Sequence, residues 1–189
     1  YIRLEYIWVG GKNELRSKTK VIKTDKLSLS LNDSEICNWD YDGSSTGQAE
    51  GSNSEVIIKP VAVYRDPFRT KYDLLVLCDT WLPNDEPHST NTRHCAKKIF
   101  DQGLEKEPWF GMEQEFFIIH KDTKLPVGFP FNGYPNPQGQ YYCSVGTSNA
   151  FGREFLEESL NNCLLANIPV TGTNFEVCAG QLEIQVCST

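Results

Sequence analysis

No run of apolar residues in this chain of 189 is long enough to cross a bilayer as a helix. None of the seven cysteines forms a Cys-x-x-Cys pair, and their spacings are irregular. A zinc site would want tighter ligand pairs, so these cysteines read as reduced, mostly packing thiols of a cytoplasmic protein. No glycine-rich loop ends in a phosphate-binding lysine, which excludes a Walker loop. There is no internal repeat, no low-complexity tract and no recognisable signal peptide. Nor is there an excess of positive charge: the formal net charge is −7, which argues against nucleic acid and against an anionic membrane surface as partners. It leaves nucleotides open, because a local site on an acidic protein can be positive or filled with metal. An initiator methionine is absent too. The chain opens on a strand-like alternation over residues 1–9 and closes on an amphipathic stretch over 182–186, so both ends are expected to cut through structure, as in a partial chain.

What is present suits a soluble globular fold, with 39% hydrophobic and 23% charged residues and room for one large domain or two small ones. The first part is β-rich. Residues 1–9 and 15–23 form strand candidates around the turn Gly10-Gly11-Lys12-Asn13, and 55–64 and 72–80 add two more. Residues 82–87 carry two prolines and several acids, the texture of an inter-domain connection. Beyond it, 91–105 reads as a helix capped by Asn91 or Thr92 with Gly103 near its end, and 109–120 as a strand. Residues 125–140 are dense in proline and glycine and form a long irregular loop, a type that is usually functional. Residues 149–166 have Phe151, Phe155, Leu156, Leu160, Cys163 and Leu164 at helical spacing, and 173–186 reads as a closing hairpin.

Four acids carry the most chemistry. Glu113 and Glu115 lie two apart on the expected strand, so both leave from one face, beside Phe117 and Ile119. If Ala179-Gly180 is a two-residue turn, Cys178 faces Gln181 and Glu176 faces Glu183. Like charges set directly opposite, with Cβ atoms about 5 Å apart, are destabilising. Two such pairs on a buried face call for a hard divalent cation, Mg²⁺ or Mn²⁺. The alternative is a solvated edge strand balanced by lysines such as Lys121, and a turn slipped by one residue would put Glu176 and Glu183 on opposite faces.

Two further segments stand out. A polar, glycine-punctuated loop runs from Asn38-Trp39-Asp40-Tyr41-Asp42 to Ser54, and either forms an ordinary capped turn or places Asp42 at a site where its carboxylate holds a cation or accepts a proton. Trp109, just before the first acid pair, is either core or a face for a planar base.

These segments resemble the eukaryotic-type (class II) glutamine synthetases. The resemblance rests on Tyr6-Ile7-Trp8, Leu15-Arg16-Ser17-Lys18, Asp42-Gly43-Ser44-Ser45-Thr46, Glu50-Gly51-Ser52-Asn53-Ser54 and Arg65-Asp66-Pro67-Phe68-Arg69. It continues through Trp109-Phe110-Gly111-Met112-Glu113-Gln114-Glu115, Pro137-Gln138-Gly139, Tyr141-Tyr142-Cys143, Gly172-Thr173-Asn174 and Glu176-Val177, in family order along nearly the whole chain. It implies an α+β fold: a small N-terminal β-grasp domain over 1–87, then the first part of the catalytic domain over 92–189, an antiparallel sheet with flanking helices. It implies a glutamate–ammonia ligase using ATP and Mg²⁺ or Mn²⁺, working through a γ-glutamyl phosphate in a double-ring homo-oligomer with active sites between subunits. In that scheme Glu115, Glu176 and Glu183 hold one metal ion and Glu113 helps hold another on the nucleotide side. Trp109, Glu113 and Glu183 serve ATP, and Asp42, from the adjacent subunit, binds and deprotonates ammonium.

Departures limit what carries over. The family has a proline and a tryptophan in the hairpin where this chain has Cys178-Ala179-Gly180-Gln181-Leu182, and an aromatic then Gly-Pro where it has Ile184-Gln185-Val186-Cys187-Ser188. Gln140 stands where the family has proline. The family's C-terminal half supplies a metal-binding histidine, another metal-binding glutamate and phosphate-gripping arginines, so the chain alone is not expected to be a complete catalyst. An inactive, glutamine-synthetase-like structural or interaction protein is the alternative reading; a stand-alone nucleotide-binding β domain fits the resemblance less well.

Overall fold

Along the first strand, β1 (Ile2–Val9), Ile2, Leu4, Tyr6 and Trp8 alternate with Arg3, Glu5 and Ile7, and all four of the first set are buried. The side-chain period of two thus writes the core directly into the sequence. The computed structural model describes residues 1–69 and 72–188; Thr70, Lys71 and Thr189, which fall within the expected domain spans, lie outside the described residues.

β2 (Leu15–Ile22) folds back antiparallel on β1. On the other side of β1, β5 (Leu74–Trp81) runs parallel to it. β4 (Glu55–Arg65) is antiparallel to β5, with the register breaking between Pro60 and Ala62, where proline has no amide to donate. β3 (Trp39–Asp42), a four-residue strand that the sequence reading leaves inside a loop, completes the sheet order β2-β1-β5-β4-β3. Val56, Ile58 and Val76 close the core over β1.

The loop after β3 is anchored by buried polar groups. Tyr41 and Thr46 both donate to Gln48 Oε1, Gln48 Nε2 donates to Thr90 Oγ1 at 2.8 Å, and His88 Nε2 meets the Gln48 carbonyl at 2.6 Å. Gly11 packs against the same loop so closely that a Cβ there would lie 2.6 Å from the Thr46 carbonyl oxygen.

Residues 82–87 fold back on themselves: the Leu82 amide donates to the Glu86 carbonyl and Trp81 bridges Pro87. α1 (Thr92–Phe100) follows, its first turn capped by the Asn91 side chain, which accepts from the His94 amide at 3.0 Å. The single helix expected over 91–105 ends at Phe100, and a short 3-10 turn at Leu104–Lys106 follows Gly103. α1 has no fully buried side chain, so little packing energy carries it through the glycine.

The chain divides into two compact units between Lys106 and Glu107. In the second, β6 (Phe110–Phe117), β8 (Gln181–Ser188) and β7 (Val170–Phe175) form an antiparallel sheet in the order β6-β8-β7. The strand expected over 109–120 ends at Phe117, and residues 118–152, which include the irregular loop expected over 125–140, hold no helix or named strand. α2 (Arg153–Leu165) begins four residues later than the apolar periodicity suggests, because Gly152 sits at φ 92°, outside helical space. Leu156, Phe175 and Leu182 form a small core, with Phe116, Ile118, Ala150 and Ile184 packed against it. Among the described residues no helix is long and apolar enough to cross a membrane, and all seven cysteines are free thiols.

Candidate metal centre

The pleat of the second unit's sheet separates two faces. Phe116, Ile118, Leu182 and Ile184 point to the core. The alternate residues, Glu113 and Glu115 on β6 and Gln181, Glu183 and Gln185 on β8, occupy the other face. Register sets Glu115 directly across from Glu183 and Glu113 across from Gln185. The carboxylates of Glu113, Glu115 and Glu183 offer oxygens that all lie within 4.8 Å of one another.

The three differ in exposure. Glu113 and Glu115 are exposed, whereas Glu183 retains only 3% of its accessible surface. The expectation of two acid pairs on a buried face is therefore corrected: β6 is an edge strand, and the face it buries is the one with Phe116 and Ile118. Burial of charge concentrates at Glu183, on the central strand. Its Oε1 is buried with no hydrogen-bond partner, and a partnerless buried carboxylate oxygen is costly.

The hairpin between β7 and β8 also differs from expectation. Asn174, not Glu176, lies opposite Glu183, and the Glu176 amide donates to the Gln181 carbonyl at 2.9 Å. The turn is Val177-Cys178-Ala179-Gly180, four residues instead of two, with Gly180 at φ 72° against the Val127 backbone. The register is displaced by two, so Glu176 and Glu183 stay on one face as diagonal neighbours. The directly facing like charges are Glu115 and Glu183.

Glu176 lies beside the three-carboxylate group without belonging to it. Burial raises its carboxyl above the usual range; the Val177 amide opposes that rise, and the nearby carboxylate of Glu183 adds to it. Asn174 Nδ2 donates to Glu176 Oε1 at 3.0 Å, and the Val177 amide donates to Oε2 at 3.0 Å. Residues 141–143 are tied to the end of β7 by the Cys143 amide, which donates to the Phe175 carbonyl at 3.0 Å. The Tyr142 hydroxyl is pushed upward, first by Cys143 and then by the charges of Glu176 and Glu183. A cavity of about 400 Å³ next to Glu113 is lined by Gly111, Thr171, Gln185 and Cys187 among others.

The donor set fits a hard divalent cation: three carboxylates converge, and one presents a buried oxygen with nothing to meet it. Asn174, Gln181 and Gln185 are participants to which the sequence reading gives no role. Gln181 Nε2 donates to Glu115 Oε2, and Gln185 Nε2 donates to Asn174 Oδ1 at 3.1 Å. A four-residue turn would have exposed Asn174 as the residue opposite Glu183.

Two candidates remain, Asp42 and Trp109. Asp42, in the first unit, caps the 3-10 turn Gly43–Thr46 and accepts from the Ser44 amide at 3.0 Å and the Ser44 hydroxyl at 2.6 Å. These bonds, the hydroxyl's first, hold its carboxyl below the usual range. Trp109 immediately precedes β6 with 72% of its surface exposed, which leaves its ring open and excludes a core role within this unit.

Comparison with known proteins bears on the whole chain. No family model matches it. It is 50% identical over 186 residues to the glutamine synthetase nodule isozyme of Lupinus luteus, covering 96% of this chain and 51% of that protein. It is 48% identical over 188 residues to the glutamine synthetase cytosolic isozyme 1-4 of Arabidopsis thaliana, covering 98% and 52%. Its fold is like that of the Plasmodium falciparum glutamine synthetase, with a TM-score of 0.70 over 97% of this chain and 40% of that one at 17% identity. A second solved structure, a GmaS/ADP complex, gives a TM-score of 0.66 at 14% identity over 97% and 41%. The chain spans about half the length of the curated relatives it matches. With identity near one residue in two along 96% or more of its residues, and with an α+β fold to match, the chain belongs to the glutamine synthetase family.

Proposed function

We propose that the protein carrying this chain is a glutamate–ammonia ligase, which makes glutamine from glutamate and ammonia at the expense of ATP through a γ-glutamyl phosphate. The observation that carries the reading is Glu183: a buried carboxylate with a partnerless oxygen, directly opposite Glu115. In this reading Glu115, Glu176 and Glu183 hold one divalent ion, Mg²⁺ or Mn²⁺, and Glu113 helps hold a second toward the nucleotide. Such an ion, when bound, neutralises charge on the phosphoryl group in flight.

The chain's own residues do the rest. Glu113 and Glu183 face the nucleotide side, where the cavity beside Glu113 gives space, and the open ring of Trp109 offers adenine a stacking face. Asp42, kept ionised by Ser44, attracts ammonium and takes its proton, leaving ammonia as the nucleophile. We assign residues 1–87 to a β-grasp domain and 92–189 to the first part of the catalytic domain. Asp42 then serves a neighbouring subunit's site in a double-ring homo-oligomer, with no nucleic acid or membrane as partner. The setting is cytoplasmic, as in the name of the Arabidopsis isozyme.

The test is glutamine formation by the full-length protein from glutamate, ammonia and ATP with Mg²⁺. Activity that is lost by at least about 100-fold in Glu183→Gln supports the reading. Absence of glutamine formation by the unsubstituted protein overturns it.

A further inference from the structure

Beside Glu176 two side-chain amides are linked in series. Gln185 Nε2 donates to Asn174 Oδ1 at 3.1 Å, and Asn174 Nδ2 donates to Glu176 Oε1 at 3.0 Å. An amide has one accepting and one donating end. Because Gln185 occupies the accepting end of Asn174, only the NH₂ end is left to face Glu176. Glu176 therefore meets a donor on Oε1 and a second donor, the Val177 amide, on Oε2 at 3.0 Å. Both its oxygens are engaged as acceptors on the protein side, which fixes the plane of the carboxylate.

The backbone makes room for this arrangement. Gly172 is the register partner of Gln185, next to the irregularity between Val170 and Gly172. A Cβ on Gly172 would lie 3.1 Å from Gln185 Oε1, so a larger residue there would press on the Gln185 amide and shift it by a few tenths of an ångström. The Thr171 hydroxyl donates to the Gln185 carbonyl at 3.2 Å and pins the same segment. Asn174, in turn, is the register partner of Glu183, so the relay and the most buried acid sit side by side on adjacent strands.

We infer that Gln185 and Asn174 form a positioning relay that aims the Glu176 carboxylate at the ion shared with Glu115 and Glu183. The inference rests on the metal reading given above and adds two residues to it. Neither touches the ion; each acts through the next. Removing either end of the relay frees the Glu176 side chain to rotate, and water then takes the coordination position it leaves. Outer partners of this kind are typically worth 10- to 100-fold in metal affinity.

The experiment uses the full chain and Mn²⁺ itself. Mn²⁺ affinity is measured by titration, and the number of Mn²⁺-bound waters by electron paramagnetic resonance in ¹⁷O-enriched water, for the unsubstituted protein and for Gln185→Met, Asn174→Leu, Glu176→Gln and Glu183→Gln. The relay predicts that Gln185→Met and Asn174→Leu each bind Mn²⁺ about 10- to 100-fold more weakly and gain one bound water, as Glu176→Gln does. It also predicts that the double variant is no worse than either single one. A residue with a merely structural role would lower the unfolding temperature without changing the water count. If Asn174→Leu fails to fold, Gln185→Met alone decides, since it keeps Asn174 in place. Unchanged affinity and water count in Gln185→Met, with Glu183→Gln impaired, overturns the relay and leaves the metal site standing. No Mn²⁺ binding by the unsubstituted protein, or binding unaffected by Glu183→Gln, overturns the metal reading and the relay with it.

Discussion

Glu115 and Glu183 stand directly opposite each other on neighbouring strands, one exposed and the other almost sealed from solvent. In a sheet this is an unfavourable pair. On the proposed reading a cation between the two carboxylates makes it tolerable, and the metal-free protein carries a strain that the ion would relieve.

Neutralising Glu183 should therefore stabilise the metal-free protein while removing its response to metal. Glu183→Gln is expected to raise stability in the presence of a chelator by about 0.5–1 kcal/mol. Mn²⁺ should raise the unfolding temperature of the unsubstituted protein and leave that of Glu183→Gln unmoved. Urea denaturation with chelator and thermal melts with Mn²⁺ check the two halves.

Gly180 holds the four-residue turn that sets the register of the acids. At φ 72°, with 2.6 Å between its would-be Cβ and the Val127 carbonyl oxygen, it tolerates no side chain. Gly180→Val is expected to cost about 1–3 kcal/mol from backbone strain, with the clash in addition. It should also weaken Mn²⁺ binding, because the Glu176 amide is tied across this turn to Gln181. Thermal unfolding and Mn²⁺ titration report the two effects.

The length of that turn shows where sequence reasoning reaches its limit. The spacing of Glu113 and Glu115 puts both on one face whatever the partner strand does, and the alternation of Ile2, Leu4, Tyr6 and Trp8 fixes β1 just as firmly. Val177-Cys178-Ala179-Gly180 is different. Closing it over two residues or four keeps Glu176 and Glu183 on the same face, so hydrophobic pattern cannot choose between them. The choice is made by Gly180 packing on Val127, a contact some fifty residues away in sequence. β3 and the end of α1 are hidden for related reasons: four residues carry too little periodicity, and a helix with no fully buried side chain is ended by local chemistry. The buried state of Glu183 follows from its central strand, which only the sheet order reveals.

Asp42 gives a prediction in pH. Its carboxyl is held below its ordinary value of 3.8, chiefly by the Ser44 hydroxyl. A depressed folded-state pKa stabilises the fold above the unfolded-state value, and that contribution fades as pH falls through the folded-state value. Ser44→Ala should move the Asp42 titration upward toward 3.8. A carboxyl-carbon nuclear magnetic resonance titration measures it.

The small core of the second unit should be sensitive to truncation. Leu182 is fully buried against Leu156 and Phe175 and lies between Gln181 and Glu183 in β8. Leu182→Ala is expected to cost about 2–5 kcal/mol in denaturant unfolding.

Anomalous diffraction from crystals of the full-length protein grown with Mn²⁺ tests the central claim most directly. The account predicts a manganese peak bonded to carboxylate oxygens of Glu115 and Glu183, with Glu176 turned toward it. Manganese absent from this face at saturating concentration, with Glu183 Oε1 satisfied by a protein donor instead, would contradict it.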